Sequence, residues 1–146
     1  MWIYNEKTIG DKDIPSDAIG FLYRITHLST GKWYIGRKLL SKSVTRQSKG
    51  KKIKSKIESD WKEYWSSSDV IKALVEEKGE ADFKREILIF VTTKAQLLYA
   101  EEYALYVTGS LFDNLCLNQN IRSRIFKKWF GKSPDFHQKI AMILNT

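Results

Sequence analysis

The stretch GFLYRITHLSTGKWYIGRK, from Gly20 to Lys38, holds two tyrosines, Tyr23 and Tyr34, and ends on two cations, Arg37 and Lys38. A phenol beside a metal ion loses its proton below its usual pKa of about 10 and can take one from water. Arginine and lysine hold phosphate oxygens. Phosphodiester cleavage also calls for a carboxylate that holds Mg2+ near the scissile phosphate. The helix-forming run TKAQLLYAEEYALYVTG supplies a candidate. On a wheel of about 3.6 residues per turn, Glu101 has Leu97, Leu98, Ala104 and Leu105 as its near neighbours. A carboxylate set in a leucine face must be paired, hydrogen-bonded or bound to a metal. An ion pair with Arg85 or Lys84 is the structural alternative. Glu102, which leans toward the tyrosines, is the fallback ligand.

The elements that must position these groups follow from local patterns. IGFLYRITH and WYIGR are rich in strand formers, and STGK between them supplies a turn. In such a hairpin Phe21, Tyr23 and Ile25 share one face, and Leu22 and Arg24 the other. Trp33 and Ile35 likewise oppose Tyr34 and Gly36. SKSVTRQSKGKKIKSK, residues 41–56, is basic and free of acids, and reads as a mobile loop or extended arm. The aromatics of ESDWKEYWSSS must bury or bind something, with core filling ahead of base stacking. SDVIKALVEEKG reads as a helix capped by Ser68, with Val70, Ile71, Leu74 and Val75 as its stripe and Gly79 as its stop. FKREILIFV is a central strand. The helix holding Glu101 has a capping box at Thr93 and Gln96 and ends at Gly109. SLFDNLCLNQN is an Asn-rich loop or short strand. IRSRIFKKWF reads as an amphipathic basic helix, and SPDFHQKIAMILN as a last helix begun by Ser133 and Pro134. The residues before Ile14 are mixed. The whole is α+β, a small, mainly antiparallel sheet of about three strands flanked by helices.

The chain has 146 residues, about one domain's worth, and 42% of them are apolar, enough for a core. Lys and Arg outnumber Asp and Glu by 25 to 17, and this excess favours a polyanionic partner, nucleic acid ahead of a membrane surface. The single cysteine, Cys116, forms no internal disulfide, lacks a CxxC partner and reads as core packing; a reducing cytoplasm fits. Charges come too early for a signal peptide, and no apolar run approaches membrane-spanning length.

Taken together these residues resemble the GIY-YIG endonucleases, whose signature is a Gly-Ile-Tyr strand followed, after a short turn, by a Tyr-Ile-Gly strand. Tyr34-Ile35-Gly36 is intact. The first half reads Phe21-Leu22-Tyr23, with Gly20 one place earlier than the family's glycine. DWKEYWSSS and the LNQN ending also resemble small stand-alone members from bacteriophage genomes. The resemblance covers roughly Ile19 to Ile121.

The resemblance implies roles. Tyr23 and Tyr34 flank the scissile phosphate and one of them activates water, although sheet packing with hydroxyls reaching solvent is the other reading of both. Glu101 holds one Mg2+ or Mn2+ ion. Asn118 matches the family's asparagine, with Asn120 as its competitor and turn support as the plain alternative. The family's arginine usually lies on a helix beyond the second tyrosine, where only Arg46 is near. Arg37, supported by Lys38, is preferred, because a rigid strand end positions a cation better than a loop. Lys42, Lys49, Lys51, Lys52 and Lys54 in the arm, and Arg122, Arg124, Lys127 and Lys128 in the tail helix, would grip the backbone of double-stranded DNA. The expected organisation is a nuclease domain over 1–121 and a basic helical extension over 122–146. The expected activity is Mg2+-dependent DNA hydrolysis leaving a 5′-phosphate, in the host cytoplasm if phage-encoded. One site cuts one strand, so a double-strand break takes a homodimer or two visits. The alternative is a catalytically inactive nucleic-acid-binding module on the same scaffold.

Overall fold

The computed structural model describes residues 1–144. Strands β1 (Trp2–Tyr4), β2 (Lys7–Thr8), β3 (Gly20–His27), β4 (Trp33–Leu39) and β7 (Phe83–Val91) form one sheet in the order β2-β1-β7-β3-β4. β7 is central, antiparallel to β3 and parallel to β1. The sheet therefore has five strands instead of about three. The extra two come from the mixed N-terminus. WIY is too short to show an alternation, but Trp2 is buried and β1 pairs along β7.

The predicted β3–β4 hairpin is present, with Tyr23 opposite Gly36 and Ile25 opposite Tyr34. Its alternation feeds two cores. Phe21, Tyr23 and Ile25 pack with Trp2, Trp61, Ile87 and, from helix α1 (Asp69–Lys78), Ile71 and Val75. Leu22 and Ile35 pack on the other face with Leu111, Ile121 and, from helix α2 (Lys94–Val107), Leu105. Ser68 caps α1 by accepting the Ile71 N–H, and Gly79 ends it at φ +86°. Val70, placed on the apolar stripe by its spacing, is exposed at the start of the helix. Thr93 caps α2, while the Gln96 side chain reaches back to the Thr92 N–H, one residue earlier than a capping box requires.

Two stretches differ from expectation. Residues 41–58 are a regular two-stranded ribbon, β5 (Ser41–Ser48) and β6 (Lys51–Glu58), rather than a loop. Lys49 and Gly50, both with positive φ, supply the tight turn that suits the twist of a hairpin. Both faces carry polar residues, so the strand alternation does not appear as hydrophobicity. Residues 120–130 are not a helix. They form the short hairpin β8 (Asn120–Ile121) and β9 (Ile125–Phe126), followed by a 3-10 turn over Lys127–Phe130. Arg122 and Ser123 both take φ of 55°, which breaks any helix there. The final helix, α3, spans Phe136–Leu144. No helix among the described residues is long and apolar enough to cross a membrane.

Candidate active site at the outer edge of β4

β4 is an edge strand, and residues 113–120 run along its open side. The Trp33 N–H donates to the Leu115 carbonyl at 2.9 Å, and the Leu117 N–H donates to the Trp33 carbonyl at 2.7 Å. Asn118 then takes over with its side chain. The Ile35 N–H donates to its Oδ1 at 3.0 Å, and its Nδ2 donates to the Ile35 carbonyl at 2.9 Å. A side-chain amide thus stands in for a neighbouring strand. Asn118 is buried, where unpaired amide groups are costly. The competing Asn120 closes a turn by accepting the Ser123 N–H and also lines the cleft described next. Beyond Asn118 the edge opens into a cleft of about 470 Å3. The next outward N–H in the same row belongs to Arg37, which lines that cleft.

Tyr23, Tyr34, Arg37, Glu101 and Asn118 all line the cleft. Tyr23 belongs to β3, one strand inside, and its ring passes over β4 at Gly36. A Cβ on Gly36 would fall on the Tyr23 hydroxyl. The glycine therefore leaves the space through which the inner tyrosine reaches the edge. Burial, and next to it Tyr34, hold the Tyr23 phenol far above its ordinary pKa. Burial raises Tyr34 as well, and the charge of Glu101 adds to this, while Ser66 opposes it.

Ser66 was missed in the sequence. Its hydroxyl accepts the Ser68 N–H at 2.9 Å and lies close enough to both phenols to favour their ionised forms. A hydroxyl has one proton to give, so it serves one phenolate at a time. Ser66 is fully buried at φ 112°, a strained conformation for a residue with a side chain. No type or spacing rule singles it out among three consecutive serines. The segment 59–68 is locked down by Arg85, whose Nη1 donates to the carbonyls of Lys62 and Tyr64 at 3.2 and 2.8 Å. The guanidinium lies over the rings of Trp2 and Trp65. Trp61, Tyr64 and Trp65 thus fill the core.

Glu101 does not pair with Arg85 or Lys84. Arg85 is engaged as described, and Lys84 lies near Glu86. The nearest charge to Glu101 is Arg37, with Nε 3.7 Å from Oε1, and Glu101 makes no hydrogen bond among the described residues. Burial raises its carboxyl pKa, Arg37 lowers it in part, and Glu102 raises it further. A half-buried carboxylate held only by a loose ion pair in a polar cleft suits a hard cation that takes oxygen ligands, keeps several waters and needs one or two carboxylates. Among the described residues no three His, Cys, Asp or Glu side chains gather as a metal cluster. Glu102 faces Arg122, at 3.8 Å.

Several predicted cations lie elsewhere. Lys38 points away from Arg37, as adjacent strand residues do. It pairs with Asp60 at 2.6 Å and lies over the Tyr64 ring, so it secures the 59–68 segment instead of the cleft. Arg46 sits on β5, exposed and away from the cleft lining. Lys127 is turned inward and donates to the carbonyls of Asp113 and Cys116, so it braces the 113–118 segment. Arg122 stands at the cleft rim on the β8–β9 turn. Arg124 is exposed and the Lys128 side chain lies by the Phe126 ring, on short extended and 3-10 segments instead of a helix. Lys42, Lys49, Lys51, Lys52 and Lys54 are exposed on the ribbon. Cys116 is buried, and burial pushes its thiol up to about 11.

Residues 2–121 match the family described as "Putative endonuclease segE, GIY-YIG domain". No curated protein and no solved structure matches the chain. The match runs from β1, past both tyrosines and Glu101, to the strand that follows Asn118. With two phenols meeting across a glycine at a sheet edge, and with most of its length inside that match, the chain belongs to the GIY-YIG endonuclease family.

Proposed function

We propose that the β4-edge cleft hydrolyses phosphodiester bonds of double-stranded DNA with the help of one divalent cation. The observation that supports this reading is the gathering of two phenols, a guanidinium and a loosely paired carboxylate in one polar cleft. Glu101 would hold Mg2+, which supplies neutralisation of phosphate charge and stabilisation of the leaving oxygen. Arg37 sits where its guanidinium can take the phosphate oxygens, since its pairing with Glu101 is loose. Tyr23 and Tyr34 flank the phosphate, and one of them takes the proton of the attacking water. Burial raises the pKa of both phenols, and positive charge held beside Glu101 would favour the phenolate. Ser66 then stabilises whichever phenolate forms. Asn118 holds Ile35, and with it the strand between Tyr34 and Arg37, in place.

The test is nicking of supercoiled plasmid with and without Mg2+. Glu101→Gln should abolish nicking and leave DNA binding intact or tighter. Full activity in that variant would reject the carboxylate's role. Wild-type protein that binds DNA but never nicks it with Mg2+ or Mn2+ would reject hydrolysis in favour of binding alone. Tyr23→Phe and Tyr34→Phe, compared across pH, identify the base: its loss removes the rise of rate with pH that ionisation of the phenol produces.

A further inference from the structure

The β5–β6 ribbon lies outside the main sheet and is exposed except at Ser41 and Val44. Cross-strand partners in an antiparallel ladder point to the same side, so the register sorts the ribbon into two unlike faces. One face has Ser43 beside Lys56, Thr45 beside Lys54 and Gln47 beside Lys52. This places a row of hydroxyl and amide groups along one strand next to a row of ammonium groups along the other. The opposite face has Lys42 with Ile57, Val44 with Ser55 and Arg46 with Ile53. The ribbon's aliphatic residues, Val44, Ile53 and Ile57, are thus all on that second face. The first face has none. The face's remaining pair, Ser41 with Glu58, lies at its base, where Glu58 is held by Lys62 and the Trp61 indole, so the three lysines beyond it stand in a line that repels itself until a polyanion is near.

Resting on the nuclease reading above, we propose that this polar face enters the major groove of the DNA substrate and reads its sequence. Gln47, Thr45 and Ser43 would meet base edges, and Lys52, Lys54 and Lys56 the adjoining phosphates. The major groove, about 12 Å wide, admits a two-stranded ribbon. Same-face residues of a strand are about 6.7 Å apart, which is about two base pairs of rise, so the three positions span about four or five base pairs. Glutamine pairs in bidentate fashion with adenine, and Ser and Thr hydroxyls accept from or donate to several base edges. Double-stranded RNA has a major groove too deep and narrow for side chains to read, so the proposal commits to DNA.

The experiment uses full-length protein and randomised duplex libraries. Cleavage products are sequenced for the wild type, and bound duplexes for Glu101→Gln. A run of four or five base pairs with about 5- to 150-fold preference at individual positions is expected. In the Ser43→Ala/Thr45→Ala/Gln47→Ala variant the preference should fall below about 2-fold, while affinity for bulk DNA and its salt slope persist, because no cation is removed. Gln47→Glu should switch one position toward cytosine, whose amino group a carboxylate accepts, an outcome that hairpin unfolding could not produce. Ser48→Ala, on the opposite face, should change nothing. A triple variant with wild-type preference, or a uniform loss of affinity without change of preference, overturns the proposal. So does an equal preference on RNA duplexes. Cleavage of DNA with no hairpin-dependent preference overturns this inference alone, whereas failure to bind or cut any DNA overturns the nuclease reading and this with it.

Discussion

The sharpest perturbation available is a single methyl group at Gly36. An ideal Cβ there falls on the Tyr23 hydroxyl, 2.5 Å from Cζ and 3.0 Å from Cε1. Non-bonded carbons settle at about 3.5–4.0 Å, so the phenol must move by about 1 Å. It has little room to retreat. Trp2, Phe21 and Tyr64 stand edge-on around it with ring centroids 5.4, 6.2 and 6.0 Å away. Overpacking of this kind costs about 1–3 kcal/mol, offset by about 0.5–1 kcal/mol from replacing glycine within a strand. The net loss of stability should be about 1–2 kcal/mol, a modest shift in a urea melt. Activity should suffer more. Displacing a reacting group by about 1 Å costs about 100-fold in rate, which is about 2.7 kcal/mol of barrier. The assay pairs the initial nicking rate of supercoiled plasmid at saturating Mg2+ with a urea melt of the same preparation. A folded Gly36→Ala protein nicking at the wild-type rate would refute the argument that this glycine delivers Tyr23 to the cleft. A rate that falls only in proportion to the unfolded fraction would refute it equally.

Burial raises the Glu101 carboxyl above its ordinary 4.5, so the folded state binds that proton more tightly than the unfolded state. Stability should therefore fall as pH rises from about 4.5 through the folded value, and Glu101→Gln should remove this slope in metal-free melts. In parallel melts with added Mg2+ the Tm of the wild type should rise and that of Glu101→Gln should not move. Asn118→Ala strips two hydrogen bonds from Ile35 and should cost about 2–4 kcal/mol in a denaturant melt, with loss of nicking in what remains folded. Neutralising Lys49, Lys51, Lys52 and Lys54 together should weaken binding to all DNA sequences alike and flatten the salt slope measured by fluorescence anisotropy by up to about 3.6. An unchanged slope would remove the ribbon from the phosphate contacts.

The sequence carried the parts of the site that local pattern determines. The β3–β4 hairpin was legible from its strand formers and turn, and the leucine setting of Glu101 from helical spacing. The position of Asn118 came only through the resemblance, and its bridging of Ile35 depends on a contact 83 residues apart in the chain. The ribbon escaped because its alternation sorts hydroxyls and amides from aliphatics, a pattern that hydrophobicity alone does not display. The missing helix at 121–130 shows the reverse error. Apolar and basic residues there fit a helical wheel, but the left-handed Arg122 and Ser123 fold the chain into a hairpin whose Ile121 joins the α2-side core. Lys127 looked like surface charge, yet it caps carbonyls in the 113–118 segment. Ser66 is placed by Arg85 and the aromatic sandwich around it, and tertiary placement of this sort leaves no periodic trace.

Closure of the β4 edge by Asn118 has a consequence for synthesis. Until residue 118 has left the ribosome, Ile35 lacks the amide that completes its strand, and the cleft has no floor. A nascent chain that ends between Glu58 and Asn118 carries both phenols and the basic ribbon but lacks this closure. The proposed cutting centre is therefore complete only once the 113–118 segment has been made and has docked on β4.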